Sequence, residues 1–160
     1  MLLVCFECFI FWYIIDLVMN SEDCIFCKIV RGDIPSSVVF EDDICMAFMD
    51  VFPVSEGHCL LIPKKHFVNL IDVNKDVVAH MVQKLTDLTR AVKEVSGAEG
   101  VLTVVANGEG AGQEVSHLHF HSIPRSKGSN FGFRFPPDYR DSMADRDQLD
   151  GIAKSIRELL

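Results

Sequence analysis

A chain of 160 residues, 49% of them hydrophobic, is the size of one ordinary globular domain and long enough to bury a single core. Its net charge of −8 and pI near 5.1, with Lys and Arg scattered apart from Lys64-Lys65, offer no basic stripe to follow a nucleic-acid backbone and argue against a polymeric nucleic-acid partner. A small anion is not excluded, because backbone N–H groups and a few histidines bind one whatever the net charge.

Residues 1–18, MLLVCFECFIFWYIIDLV, are strongly apolar, but Glu7 and Asp16 interrupt the run, no Lys or Arg precedes it and no small-residue cleavage site follows. Three readings stay open for this extension: a stretch outside the working protein, a membrane-associated segment, or a packed helix. Composition changes at Met19, so a self-sufficient domain is expected over 19–160, with its core at 23–125 and a tail at 126–160. KIVRGDIPSS, 28–37, contains Gly32 and Pro35 and reads as a short helical or irregular piece ending in a turn. VVFED (38–42) and ICMAFMD (44–50) are β-branched and aromatic runs parted by Asp42-Asp43, the sign of a hairpin. HCLLIP (58–63) is a third strand, stopped by Pro63.

From Asn74 to Ser96 the apolar residues Val77, Val78, Met81, Leu85, Leu88, Val92 and Val95 recur at steps of three and four, which defines one face of a helix. Asn74 suits its N-cap and Gly97 its stop. VLTVVAN (101–107) is a fourth strand, GEGAGQ a glycine-rich loop, and VSHLHFHSI (115–123) a fifth strand ended by Pro124. Asp145 to Leu160 reads as a second helix with Leu149, Ile152, Ile156, Leu159 and Leu160 on one side. Five strands on short links with one long helix between the third and fourth predict an α+β domain, an antiparallel sheet covered by a long helix and a C-terminal helix.

Two C-x-x-C pairs, Cys5/Cys8 and Cys24/Cys27, suggest metal or redox chemistry more than a disulfide framework. Together they fit the spacing of a four-cysteine zinc ribbon, although the intervening loop, FIFWYIIDLVMNSED, is mostly apolar. Cys45 and Cys59 fall inside strands and read as core.

Three of the six histidines stand at alternate positions in HLHFH, 117–121. Side chains alternate across a strand, so His117, His119 and His121 are expected on one face while Leu118 and Phe120 fix the register from the other. Such a row could bind a metal, since imidazole is a common zinc ligand. It could equally bind phosphate, with one neutral imidazole as nucleophile and its neighbours donating hydrogen bonds to the phosphate oxygens. The glycines at 108, 110 and 112 do not fit a dinucleotide fingerprint, and their loop leads into a strand instead of a helix. His80 lies between the apolar positions of the long helix and reads as solvent-facing or capping.

His117-Leu118-His119-Phe120-His121-Ser122-Ile123 resembles the signature of the histidine triad (HIT) superfamily of nucleotide hydrolases and transferases, with Ser122 polar where that pattern has an apolar residue. CIFCKIVRGDIPS, FMDVFPVSEGHCLLIPKKH and ANGEGAGQEVSHLHFHSIPR resemble family sequence in family order, from about Asp23 to about Arg125. The resemblance implies a HIT-like fold over 19–160 and a catalytic set of His119, His121, His58 and His117, with His119 the nucleophile that forms a nucleotidyl-histidine intermediate. It implies a ribose contact at Asp50, a base contact at Val51, and phosphate contacts at Asn107, Gly112, Gln113, His119 and His121. Glu114 stands in the same set, where one branch carries a phosphate-binding hydroxyl. It further implies a structural zinc on Cys24, Cys27, His66 and His117, and no catalytic metal.

The expected activity is cleavage at the α-phosphate of purine nucleotide conjugates, AMP or GMP derivatives, of the nucleoside phosphoramidase type. Hydrolysis of dinucleoside polyphosphates and nucleotide binding with weak catalysis are the alternatives. A homodimer is expected, as is a cytoplasmic and also nuclear location, with membrane association through residues 1–18 left open.

Overall fold

The computed structural model describes residues 22–129, 131–132, 140 and 143–160. In β2 (Cys45–Met49) and β3 (Cys59–Pro63) almost every side chain is apolar and buried, the mark of strands covered on both faces. They pair antiparallel with Cys45 opposite Pro63 and Met49 opposite Cys59. With β1 (Val38–Glu41), β4 (Gly100–Val104) and β5 (Phe120–Arg125) they form one antiparallel sheet in the order β1-β2-β3-β5-β4. The β1–β2 hairpin closes on Asp42, whose Oδ1 accepts the N–H groups of Ile44 and Cys45, both at 2.9 Å.

The alternation of strand side chains sorts the core into two. Cys45, Ala47, Cys59 and Leu61, with Leu118 and Phe120, pack against Met81, Leu85, Leu88 and Val92. Those four form the buried face of α2 (Lys75–Ser96). Met46, Phe48, Leu60 and Ile62 pack on the other side against Phe26 of α1 (Ile25–Arg31). The bounds of α2 follow from its caps: Asn74 Oδ1 accepts the Asp76 N–H at 2.8 Å, and Gly97 stops the helix with a φ of +64°.

Strand bounds differ from the sequence expectation at β4, which ends at Val104 instead of Asn107, and at both ends of β5. β5 starts at Phe120, not near Val115, because residues 115–119 bond elsewhere: His117 N–H donates to Val115 O at 2.8 Å and Leu118 N–H to Phe67 O at 2.6 Å. The alternation survives, since Leu118 and Phe120 still face α2. Pro124 does not end β5, which runs on to Arg125. It sits opposite Val101 of the sheet-edge strand β4, and its carbonyl accepts the Ser55 hydroxyl at 2.7 Å. On the same strand, Ser122 is fully buried and its hydroxyl has no hydrogen-bond partner among the described residues.

The chain divides into two compact units between Asn130 and Phe131. In the second, α3 (Arg146–Arg157) begins at Asp145, whose side chain accepts the Gln148 N–H at 2.9 Å. It ends short of Leu159 and Leu160, and Leu149, Ile152 and Ile156 are exposed on it. No helix among the described residues is long and apolar enough to cross a membrane. The expectations for residues 1–18, including a ribbon through Cys5 and Cys8, lie outside the described residues.

Candidate active site and metal centre

Strand parity assembles the polar row. Asp50 follows β2 and gives its N–H to His58 O at 3.0 Å, so the two residues stand opposite one another. His121 is registered against Leu60, two residues along from His58 on the same face. The consequence is a line across three strands: Asp50 Oδ2 lies 3.3 Å from His58 Nδ1, and His58 Nε2 lies 3.0 Å from His121 Nδ1. His58 Nδ1 is also 3.3 Å from the Val54 N–H. With its proton on Nδ1, His58 donates to the Asp50 carboxylate and accepts from His121. With its proton on Nε2, it accepts from Val54 and donates to His121. The two arrangements differ only by a proton moved along the row.

Burial pushes His58 down from its ordinary value, and it pushes His121 down to about 4, helped by the neighbouring His119 and His58. Both rings are therefore neutral at pH 7. The ring of His119 lies beside that of His121, with centroids 4.9 Å apart, and it is itself 6% exposed. Its Nδ1 is 2.6 Å from the carbonyl of His117. A carbonyl only accepts, so Nδ1 carries the proton and Nε2 keeps its lone pair.

His117 turns the other way along the segment. Its Nδ1 lies 3.4 Å from Cys24 Sγ and 3.5 Å from Cys27 Sγ, and Cys27 Sγ is 3.3 Å from His66 Nδ1. The four donor atoms all fall within 4.8 Å of one another. His117 Nε2 donates to Pro63 O at 2.9 Å, which fixes the tautomer with Nδ1 free to ligate. Two thiols and two such imidazoles match the donor set of a closed tetrahedral zinc site. Burial, then the Cys24 thiol beside it, pushes Cys27 up to about 12, so ligation there displaces a proton.

The glycine loop, 108–112, lies just ahead of the histidine segment in the chain. Gly108 and Gly112 take φ values of +90° and +85° around a 3-10 turn at Glu109–Ala111. Gln113 braces the loop: its Oε1 accepts the Gly108 N–H at 2.7 Å and its Nε2 donates to the Val68 and Val115 carbonyls. That amide is occupied by backbone, so a phosphate contact from Gln113 would displace one of those bonds. Asn107 Oδ1 accepts the Leu70 N–H at 2.9 Å, leaving its NH2 as the group for a ligand. Asp50 Oδ1 accepts the Phe52 N–H at 2.8 Å and retains lone pairs for hydroxyl groups. Val51, Gly112 and Glu114 are exposed.

His80 is half-buried and caps no helix among the described residues. Its Nε2 is 2.8 Å from Asp42 Oδ2, which ties α2 to the hairpin, with Lys84 Nζ 3.6 Å from the same oxygen. Nothing in its helical spacing signals this, because the partner lies 38 residues away. Cys45 and Cys59 are core, as expected. Sequence reasoning also missed Phe26, whose ring meets His119 edge-on at 5.3 Å and His117 at 5.8 Å. Its position inside C-x-x-C was the available signal.

The family model of the HIT domain matches residues 31–128. The chain belongs to the HIT family, which includes hydrolases. It is 41% identical over 107 residues to "Adenylylsulfatase HINT3" of Arabidopsis thaliana, a match covering 67% of this chain and 54% of that protein. It is 39% identical over 102 residues to "Adenosine 5'-monophosphoramidase hnt1" of Schizosaccharomyces pombe, covering 64% and 74%. Among solved structures, a HIT-family protein from Bacillus subtilis superposes with a TM-score of 0.80 at 38% identity, covering 87% of this chain and 98% of the other. A zinc-bound histidine triad protein from Mycobacterium smegmatis gives 0.66 at 36% identity, covering 76% and 88%.

Proposed function

We propose that this protein hydrolyses purine nucleotide conjugates at the α-phosphate, as a nucleoside phosphoramidase acting through a nucleotidyl-histidine. The observation that carries the reading is the bond from His119 Nδ1 to the His117 carbonyl, 2.6 Å, which leaves Nε2 as the nitrogen to act as nucleophile next to the His121–His58–Asp50 row. His119 Nε2 attacks phosphorus in line, and the bond to the leaving amine breaks. Water hydrogen-bonded to the neutral His121 ring gives a proton to the departing nitrogen. The hydroxide so formed attacks the same phosphorus, the P–Nε2 bond breaks, and the nucleoside monophosphate leaves. The His121 ring and the N–H groups of the glycine loop, Gly112 among them, hold the phosphate oxygens. Asp50 holds the ribose hydroxyls and Val51 touches the base. Asn107 offers its NH2 to phosphate, while Gln113 and Glu114 shape the loop. Two relatives that bear the names of AMP-releasing hydrolases support this substrate class.

A zinc ion bound by Cys24, Cys27, His66 and His117 would cross-link α1 to the segment before β5, and it takes no part in any step above. Among the described residues β4 has a strand neighbour on one side alone, which supports pairing with a second copy as a homodimer. The domain is assigned to 19–160, with 1–18 as an extension, and the location to the cytoplasm. The test is turnover of an adenosine phosphoramidate and a diadenosine polyphosphate side by side. Preference for the amide supports the reading. Preference for the polyphosphate replaces it with the dinucleotide hydrolase, and binding without turnover of either replaces it with a nucleotide-binding protein.

A further inference from the structure

The nucleophile candidate and the metal centre touch in two places. The first is main chain: the carbonyl that takes the His119 Nδ1 proton belongs to His117, whose ring is held between the cysteines and Pro63 O. The second is Phe26, which lies between Cys24 and Cys27 in sequence and sets its ring edge-on to both His119 and His117. These contacts restrain different freedoms. The carbonyl decides which nitrogen carries the proton, and the phenyl edge limits how far the imidazole can turn about that bond. Both lie on parts that the cluster joins. α1 spans only Ile25–Arg31 with no side-chain cap at Cys24, and besides the cluster it is seated by packing, with Phe26 against Met46, Phe48, Leu60 and Ile62. The thiols and imidazoles that would seat it meet at 3.3 to 3.5 Å, about the spacing that ligands keep around a tetrahedral zinc, so a shared ion would lock them where they stand. The rest of the segment is anchored independently by Leu118 N–H on Phe67 O and by the β5 ladder.

We infer that the Cys24, Cys27, His66 and His117 cluster is a positioning device for the His119 ring, so that its occupation by zinc sets the tautomer and plane of the nucleophile without altering the sheet. His117 and Phe26 are the positioning residues that transmit it. The kinetic arm of the test rests on the hydrolase reading above, whereas the spectroscopic arm does not.

The full chain, labelled with 15N-histidine, is compared as the zinc-loaded protein, after chelation, and after zinc is returned, with circular dichroism reporting the fold. Loaded protein is expected to show His119 as the single Nδ1–H tautomer. Chelation is expected to mix the two tautomers and to lower kcat on an adenosine phosphoramidate about tenfold, with KM within about twofold, both reversed by zinc. Phe26→Leu that retains its zinc is expected to mix the tautomers in the same way. If chelation unfolds the chain, this variant decides the matter alone. An unchanged His119 spectrum in folded, metal-free protein, or in Phe26→Leu, overturns the inference. If the loaded wild type turns over no nucleotide conjugate, the hydrolase reading falls and the nitrogen spectra still judge the coupling.

Discussion

The two faces of the sheet are built alike and used differently. On the α2 side, hydrocarbon and thiol side chains from three strands meet four apolar helix residues, and the histidine there, His80, is tied to Asp42 of the hairpin. On the α1 side a smaller apolar cluster supports His117 and His119 through Phe26, and the Asp50–His58–His121 row crosses the same face. One face therefore supplies most of the stability and the other holds neutral, buried imidazoles that a well-packed core would exclude. The long helix frees the short one from structural duty.

Substitutions that separate the faces give the sharpest predictions. His119→Ala is expected to lower turnover of an adenosine phosphoramidate by about four orders of magnitude or more while the urea midpoint stays close to wild type. A variant that lost activity and stability together would show that the faces are not separable. Leu61→Ala, on the α2 side and fully buried, is expected to cost about 3 kcal/mol in urea denaturation with KM unchanged.

Acid should expose the cost of the chemical face. An unfolded histidine takes up its proton near 6.5, whereas folded His121 does so only near 4. Between those values the unfolded chain binds more protons, so stability falls as pH drops through that window. His121 alone should account for about 2 kcal/mol of the loss once solvent screening is allowed for. His121→Gln is expected to flatten the dependence measured by denaturation at a series of pH values, and an unchanged slope would assign it elsewhere. The smallest effect belongs to the tie between helix and hairpin: His80→Ala is expected to cost about 1 kcal/mol at pH 7 by thermal melting, with no change in kcat.

How much of this was visible in the sequence depends on the range of the contact. Helix α2 was legible to its caps because apolar spacing, Asn74 and Gly97 are all local signals. The alternation of HLHFH was legible for the same reason, and it placed Leu118 and Phe120 correctly even though the strand ladder starts only at Phe120. Hydropathy reports which way a side chain points, but not which backbone its N–H finds. That is why Phe67 O as the partner of Leu118, Pro63 O as the brace of His117, and Asp42 as the partner of His80 could not be read. The proline rule failed at Pro124, where pairing with β3 has already ended at Ser122 and β4 alone continues the ladder.

Ser122 carries one further consequence. A hydroxyl sealed in the interior with no partner among the described residues is stability left unclaimed, and replacing it by alanine removes only the desolvated group. It lies on the strand of His121 yet points to the opposite face, so such a change would leave the chemistry alone. The protein thus holds a reserve in its own sequence: a lineage acquiring a new leaving-group preference through costly changes around the glycine loop could offset them by one substitution at position 122.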